Sequence, residues 1–440
     1  MGSFFNQDLK ITLHNSSTIH PKEQTERRSL FLSNIDQLLN FHVKTVTFFS
    51  AKPGYTLDLV MEMIRSGMEK ALVHYDFLAG RLKYDEKGRQ EIDCDGAGVS
   101  YVMASSELKL EDLGELYPNP AFLQLIPMPE LTHELEERPL FAIQATLFKC
   151  GSYAFGVSLN HAAMDGVGFL TFFLNLACLI SNQRLAITPY TNRELLAARS
   201  PPRVTFSHPE YVKLEEIVKM LPTRKSPPED HEFKQFHLSS KDISTLKEKA
   251  RAGNTLDPKI ITNFNVVAAY IWKCKSLATY GPDENKTSTL LYAVDIRRKI
   301  QPNLPSSYAG NGVFYAYAKA TCRDLDTSPF PNIVKMVSEG VARITDEYIR
   351  SAIDSCQVSV RFPIGDVIVT SWWKLDFGEM EFEWGKPKYF CPVPDPKTKV
   401  VMLSPGVDKG VGVLIRLPSS KMEKFCSLFY KDFGPSQSRL

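Results

Sequence analysis

The chain has 440 residues, of which 43% are hydrophobic and 23% charged, and a formal net charge of +2 at pH 7. It is too long for one hydrophobic core, and it carries enough apolar material for two or three domains of an ordinary soluble globular protein. The near-neutral balance, with no long basic run and no basic–aromatic repeat, excludes nucleic acid as an expected partner.

The opening Met1-Gly2-Ser3-Phe4-Phe5-Asn6 lacks the charged-then-apolar order of a secretory signal. It begins like a myristoylation site but has Asn6 where Ser or Thr is needed. Residues 44–50, rich in Val, Thr and Phe, predict a strand. Residues 57–74 place Leu59, Met61, Met63, Ile64, Met68 and Leu72 at helical spacing and predict an amphipathic helix. Two strand-like runs, 140–149 and 153–160, flank Cys150-Gly151-Ser152 and predict a hairpin. Residues 166–180 then read as a buried helix. This is the most apolar stretch, but it contains Thr171 and Asn175 and is too short to span a bilayer.

From 187 to 231 the texture changes, with Pro189, Pro201, Pro202, Pro209, Pro222, Pro227 and Pro228 punctuating a polar stretch. This is the expected connection between an N-terminal domain, 1–186, and a C-terminal domain, 232–440, with a short helix over 214–221 inside it. In the second half, 243–251 and 264–280 predict helices, and 289–294, 312–320, 366–371, 400–404 and 410–417 predict strands. Strands and helices mix in both halves, which gives an α/β or α+β class. Eight cysteines occur singly with no C-x-x-C pair. They read as reduced thiols of an intracellular protein, with no metal site expected. The terminal Ser438-Arg439-Leu440 is a conservative variant of the Ser-Lys-Leu peroxisomal address, so the expected location is the cytoplasm with the peroxisome as alternative.

One segment carries chemistry. In His161-Ala162-Ala163-Met164-Asp165-Gly166, His161 follows a predicted strand and precedes a predicted helix. Residues at strand ends are held by the sheet yet open to a crevice. A neutral imidazole there is suited to take a proton from a hydroxyl or amine attacking a carbonyl. Asp165 has two readings that are compatible: N-cap of the helix from Gly166, or partner of a buried arginine that fixes the loop. Both are structural. Of the nine histidines, only His161 has an Asp four positions on. No G-x-S-x-G elbow, H-E-x-x-H zinc motif or G-x-G-x-x-G loop is present. Asp376-Phe377-Gly378 lacks the companion kinase motifs and reads as incidental.

The segment around His161 resembles the HxxxD-type plant acyl-CoA-dependent acyltransferases, the BAHD family, and other stretches resemble that family in its order. Phe31-Leu32-Ser33-Asn34-Ile35-Asp36 is similar to its LSxxD opening, and Ala79-Gly80-Arg81-Leu82 to its AGRL segment. Gln144 to Phe148 with Cys150-Gly151 is similar to the strands before the histidine. Val294-Asp295-Ile296-Arg297 resembles VDxR, followed by Leu304-Pro305 and Tyr308-Ala309-Gly310-Asn311. Thr370-Ser371-Trp372 matches TSW. One motif departs. The family's DFGWG falls on Glu381-Phe382-Glu383-Trp384-Gly385, so Glu381 replaces Asp and Glu383 replaces a Gly that would tolerate any backbone angle.

The resemblance implies two similar-sized domains, each a mixed β-sheet with helices, in a chloramphenicol-acetyltransferase-like fold. CoA and acceptor would reach the histidine through a channel between them, CoA from the side of the C-terminal domain. It implies acyl-CoA as a co-substrate with no permanently bound cofactor, a small-molecule alcohol or amine as acceptor, and a monomer without a transmembrane segment. It also implies His161 as general base, Arg297 as ion-pair partner of Asp165, Trp372 and Thr370 as oxyanion donors, and Thr262 near the CoA. Hydroxycinnamoyl donors are favoured by similarity of the Phe31–Asp36 and Asp295–Arg298 stretches. Intramolecular transfer closing a lactone and a non-catalytic partner of lipid-synthesising enzymes stand as alternatives.

Overall fold

A computed structural model describes residues 7–129, 134–220, 230–254, 256–283, 285–395 and 399–433. The Ser438-Arg439-Leu440 address, the opening hexapeptide, and Pro222, Pro227 and Pro228 lie outside the described residues. The protein is mixed α/β and divides into two compact units, each with a six-stranded sheet. The first is Met1–Ala197 with Leu304–Gly312 and Leu375–Pro396; the second is Ala198–Asn303, Val313–Lys374 and Lys397–Leu440. The expected split into 1–186 and 232–440 therefore differs from the observed one, because two segments of the C-terminal half belong to the first unit.

In chain order the first unit carries β1 (Ile11–Ile19), β2 (Arg28–Phe31), α1 (Asn34–Gln37), β3 (His42–Phe49), α2 (Leu57–His74), β4 (Arg81–Tyr84), β5 (Gln90–Cys94), β6 (Val99–Ser106), β7 (Phe141–Phe148), β8 (Tyr153–Asn160) and α3 (Gly166–Ile180). Its large sheet has the order β1-β6-β7-β8-β3, closed at the far edge by Tyr389–Pro392, while β2, β5 and β4 form a small second sheet. Among the described residues of the large sheet only the β6–β7 pairing is parallel. A parallel pair needs a long crossover, and residues 107–140 supply it. Their Leu110, Leu113, Phe122 and Leu125 pack with Val46, Phe48 and Phe148 into one apolar cluster.

Strand β8 is buried along its whole length and β7 nearly so. These runs are apolar on both faces, as strands covered on both sides must be. Phe172 of α3 meets Phe141 at 5.5 Å and Tyr75 at 5.1 Å between ring centroids. Helix α2 lies against α3 so closely that a Cβ on Gly67 would fall 2.4 Å from Ile180 Cγ1. The sheet thus holds the end of β8, and the helices fix the start of α3.

Gly156, in the middle of β8, is needed for contact with the crossover: a Cβ there would lie 1.9 Å from the Leu125 carbonyl oxygen. Backbone cannot yield as a flexible side chain can. Gly156→Ala is therefore expected to destabilise the protein by ~1–3 kcal/mol through overpacking. Gly378→Ala, where a Cβ meets nothing within 4 Å, is the control. Thermal midpoints of the two variants check this; equal midpoints would refute it.

The second unit's sheet runs in the order His231–Leu238, Val411–Pro418, Val400–Pro405, Val367–Ser371, Thr287–Asp295, Val313–Thr321. Pairing is parallel on both sides of Val367–Ser371 and antiparallel elsewhere. The helix Asn263–Tyr280 is almost wholly buried, with Trp272 Nε1 donating to Ser288 Oγ at 3.0 Å. Residues 198–210 of the proline-rich stretch belong to the second unit and lie outside helix and strand. Their irregular backbone still needs acceptors, and the helix Asp346–Val358 provides them. Buried Asp354 accepts from the backbone N–H groups of Arg199 (2.8 Å) and Arg203 (2.7 Å), and Ser351 Oγ accepts from those of Thr205 (2.9 Å) and Phe206 (3.1 Å). All eight cysteines are free, with Cys94, Cys274, Cys322 and Cys391 buried. Among the described residues no helix is long and apolar enough to cross a membrane.

Candidate active site

His161 is the first residue after β8, at the head of a five-residue loop that ends at the α3 cap. The loop's polar groups are tied down on all sides. His161 N–H donates to the Phe41 carbonyl at 2.8 Å, and Ala162 N–H to Asn160 Oδ1 at 3.0 Å. Fully buried Arg193 donates through Nη1 to the Ala162 carbonyl at 2.8 Å and through Nη2 to the Ala163 carbonyl. Asp165 is the N-cap of α3: its Oδ1 accepts from Val167 N (3.1 Å) and Gly168 N (2.9 Å), and its Oδ2 from Gly312 N at 2.8 Å. A cap of this kind contributes ~1 kcal/mol. Here it also ties the loop to a segment 147 residues further along the chain.

That segment supplies the imidazole's partner. His161 Nδ1 lies 3.0 Å from Asn311 Oδ1. Asn311 Nδ2 donates to Asp36 Oδ1 at 2.7 Å and to the His161 carbonyl at 2.8 Å. The other carboxylate oxygen of Asp36 accepts from Ser33 N (2.8 Å) and Ser33 Oγ (2.7 Å), the capping box of α1, and lies 3.5 Å from Arg193 Nη1. The Ser33-x-x-Asp36 spacing suits that box. Asp36, Asn311 and Arg193 are buried, whereas His161 is half-buried, with the Phe41 ring 5.4 Å away. Nε2 of His161 has no hydrogen-bond partner among the described residues.

Burial lowers the His161 pKa below the ordinary histidine value of 6.5, offset in part by its own carbonyl, Asp165, Asn311 and Asp36. The imidazole is therefore neutral at physiological pH, the form that accepts a proton.

The remaining sequence candidates belong to the second unit. Arg297 is buried after the strand Thr287–Asp295, with its backbone N–H 2.9 Å and its Nη1 3.3 Å from Asp295 Oδ1. Thr370 is half-buried within Val367–Ser371, and half-buried Trp372 donates its backbone N–H to the Leu403 carbonyl at 2.8 Å. Thr262 is exposed and is the N-cap of Asn263–Tyr280, accepting from Asn265 N at 3.1 Å. The cap alone accounts for a hydroxyl residue at that position.

The departure at 381–385 leaves its turn intact. Phe382 and Gly385 close it through two backbone hydrogen bonds of 2.8 and 3.2 Å, and the positive φ of +115° falls on Gly385, not on Glu383. Glu381 and Glu383 are exposed, while Phe382 and Trp384 are buried, stacked at 4.8 Å and packed edge-on against Phe49. The Glu383 carbonyl accepts from Lys52 Nζ at 2.7 Å. Asp376-Phe377-Gly378 is a packing feature, with Phe377 stacked on Phe390 at 4.1 Å.

Proteins of known activity share this chain's sequence and fold, and those similar in sequence include acyltransferases. The Transferase family profile matches residues 9–432. The chain is 47% identical over 431 residues to "Acyltransferase GLAUCE" of Arabidopsis thaliana, covering 95% of each. It is 32% identical to "Hydroxycinnamoyltransferase 1" of Oryza sativa subsp. japonica, covering 96% of this chain and 100% of that one. Among solved structures, vinorine synthase superposes with a TM-score of 0.74 at 23% identity, covering 94% of this chain and 96% of that chain. The chain belongs to this transferase family, the plant BAHD acyltransferases.

Proposed function

We propose that the protein is an acyl-CoA-dependent O- or N-acyltransferase of plant specialised metabolism, with His161 as general base and a hydroxycinnamoyl or related aromatic acyl group as donor. The observation that carries this is a half-buried imidazole on a loop whose backbone is fixed at both ends, with one ring nitrogen held and the other unpartnered among the described residues. The similarity to hydroxycinnamoyltransferases supports the donor class.

In this reading Nε2 takes the proton of an acceptor hydroxyl or amine as its oxygen or nitrogen attacks the thioester carbonyl. No acyl-enzyme forms. The tetrahedral oxyanion is met by the Trp372 indole N–H and the Thr370 hydroxyl. Its collapse breaks the C–S bond, and the imidazolium returns the proton to the CoA thiolate. Asp165 and Arg297 form an ion pair that holds the loop, and Thr262 lies toward the CoA. The reaction needs no bound cofactor, and the protein acts in the cytoplasm.

The direct test is thiol release by the purified protein from hydroxycinnamoyl-, benzoyl-, malonyl- and acetyl-CoA, each with a panel of alcohols and amines. Turnover is expected with hydroxycinnamoyl donors. No release with any pair, beside a working control enzyme, would overturn the assignment. The pH dependence follows from the lowered pKa. The reactive form is the free base, so the acid limb of kcat/KM should lie below 6.5. For stability the sign is the same: the unfolded chain binds this proton more readily, so the contribution is present above 6.5 and is lost as pH falls toward the folded-state value. An acid limb at or above 6.5 would contradict it.

A further inference from the structure

The reaction requires one particular ring nitrogen of His161 to be unprotonated, and a neutral imidazole has two tautomers. We infer that Asn311, oriented by Asp36, is the positioning residue that holds His161 as the Nδ1–H tautomer and so leaves the lone pair on Nε2.

Each end of the Asn311 amide faces a different set of neighbours. At one end lie Asp36 Oδ1 at 2.7 Å, the His161 carbonyl at 2.8 Å and the Ala162 carbonyl at 3.4 Å. A carbonyl oxygen can only accept, and so can an ionised carboxylate. The atom facing these three oxygens must therefore be the NH₂ group, which fixes the orientation of the amide. The amide oxygen then faces His161 Nδ1 at 3.0 Å, and that contact is a hydrogen bond only if Nδ1 carries the proton. The reversed amide would set an oxygen against a carboxylate and two carbonyls in a buried site, where unmade hydrogen bonds are costly.

Asp36 is in turn held in place. Its Oδ2 takes both Ser33 donors and faces Arg193 Nη1 at 3.5 Å, and Arg193 also holds the Ala162 and Ala163 carbonyls. The chain of contacts Arg193–Asp36–Asn311–His161 lies within one unit and is buried up to the imidazole. Asn311 is an amide rather than a carboxylate, and this matters chemically. A carboxylate beside Nδ1 would fix the same tautomer but would stabilise the imidazolium and raise its pKa. The amide fixes the tautomer while leaving burial in command of the basicity.

This inference rests on His161 being the base, but its test does not. Imidazole ¹⁵N shifts of His161 are read at neutral pH in ¹⁵N-histidine-labelled wild-type protein, with the signals assigned by their loss in His161→Gln. A protonated-type Nδ1 and an unprotonated-type Nε2 are expected; an Nε2–H tautomer, or an averaged pair, overturns the inference. The base assignment fails separately, if His161→Gln keeps full turnover. One variant extends the test. In Asn311→Leu the averaged pair should appear, and kcat should fall by about 10²-fold within the ~10²–10⁴ that a positioned base contributes, with the acyl-CoA KM within about threefold. An Asn311→Leu variant with unchanged kcat and ¹⁵N shifts refutes the role. Loss of folding in that variant leaves the wild-type spectrum to decide.

Discussion

His161→Ala should lower kcat by roughly 10²–10⁴-fold, the contribution of a positioned general base, and leave the acyl-CoA KM within about threefold of the wild-type value. The split between the two constants is what identifies a base. A residue that binds donor and transition state alike would raise KM without touching kcat. The substitution should also spare the fold, because the imidazole makes one side-chain hydrogen bond, to Asn311. The loop's anchors are backbone groups and other side chains: His161 N–H to Phe41, Ala162 N–H to Asn160 Oδ1, Arg193 to the Ala162 and Ala163 carbonyls, and Asp165 at the cap. The residual rate should come from holding donor and acceptor together, which needs no proton acceptor. It should therefore lose the acid limb that His161 imposes and become nearly flat across about pH 5–7. Steady-state kinetics on the purified variant, with its thermal midpoint as a check on folding, measure all of this. Unchanged turnover would remove His161 from the mechanism.

The sequence is most legible where the signal is local. The helix over 57–74 and the buried helix over 166–180 match α2 and α3 at both ends, because apolar spacing and a capping residue at each N-terminus, Thr56 and Asp165, mark them. The 140–149 and 153–160 hairpin is β7 and β8, since an apolar run on either side of Gly151, whose φ is +82°, admits little else. Strand β1 has no such signature. Its Ile11–Ile19 run reads ITLHNSSTI and is largely exposed at the sheet edge, so polar residues conceal it. The helices Phe330–Arg343 and Asp346–Val358 follow one another directly and blur each other's periodicity.

The site divides in the same way. His161 and Asp165 are four residues apart and visible together. Asn311 meets His161 across 150 positions, and Asp36 meets Asn311 across 275. Nothing in the sequence around Asn311 announces an acceptor for an imidazole N–H. Arg193 sits in the proline-rich stretch that reads as connection, where a buried arginine is the last thing the texture suggests. At 381–385 the sequence misleads in the other direction. Glu383 looks intolerable only if the turn's left-handed residue is placed there, and the turn places it on Gly385.

Arg193→Met should be among the most destabilising single changes in the first unit. Both side chains of the Arg193–Asp36 pair are fully buried, at 0% exposure, and 3.5 Å apart. Making such a pair adds little net stability, because desolvating two charges offsets their attraction. Breaking it by removing one partner strands the other and costs ~3–5 kcal/mol. Here the variant also abandons two carbonyls of the active-site loop. The consequence should be read where the pair acts. Amides of β8 and the loop, followed by hydrogen exchange, should open on the order of 10²–10³-fold more readily if the whole loss appears locally, since each 1.4 kcal/mol is tenfold. The double variant Asp36→Asn/Arg193→Met separates charge from shape. The amide it introduces at position 36 retains an oxygen able to accept from Asn311 but no longer carries a stranded charge. It should therefore recover part of the single variant's loss, its NH₂ now facing the Ser33 N–H from which Oδ2 accepted, with a coupling above the ~0.5 kcal/mol expected of independent sites. If the two losses simply add, the ion pair is not what Arg193 supplies, and its bonds to the Ala162 and Ala163 carbonyls alone hold the loop.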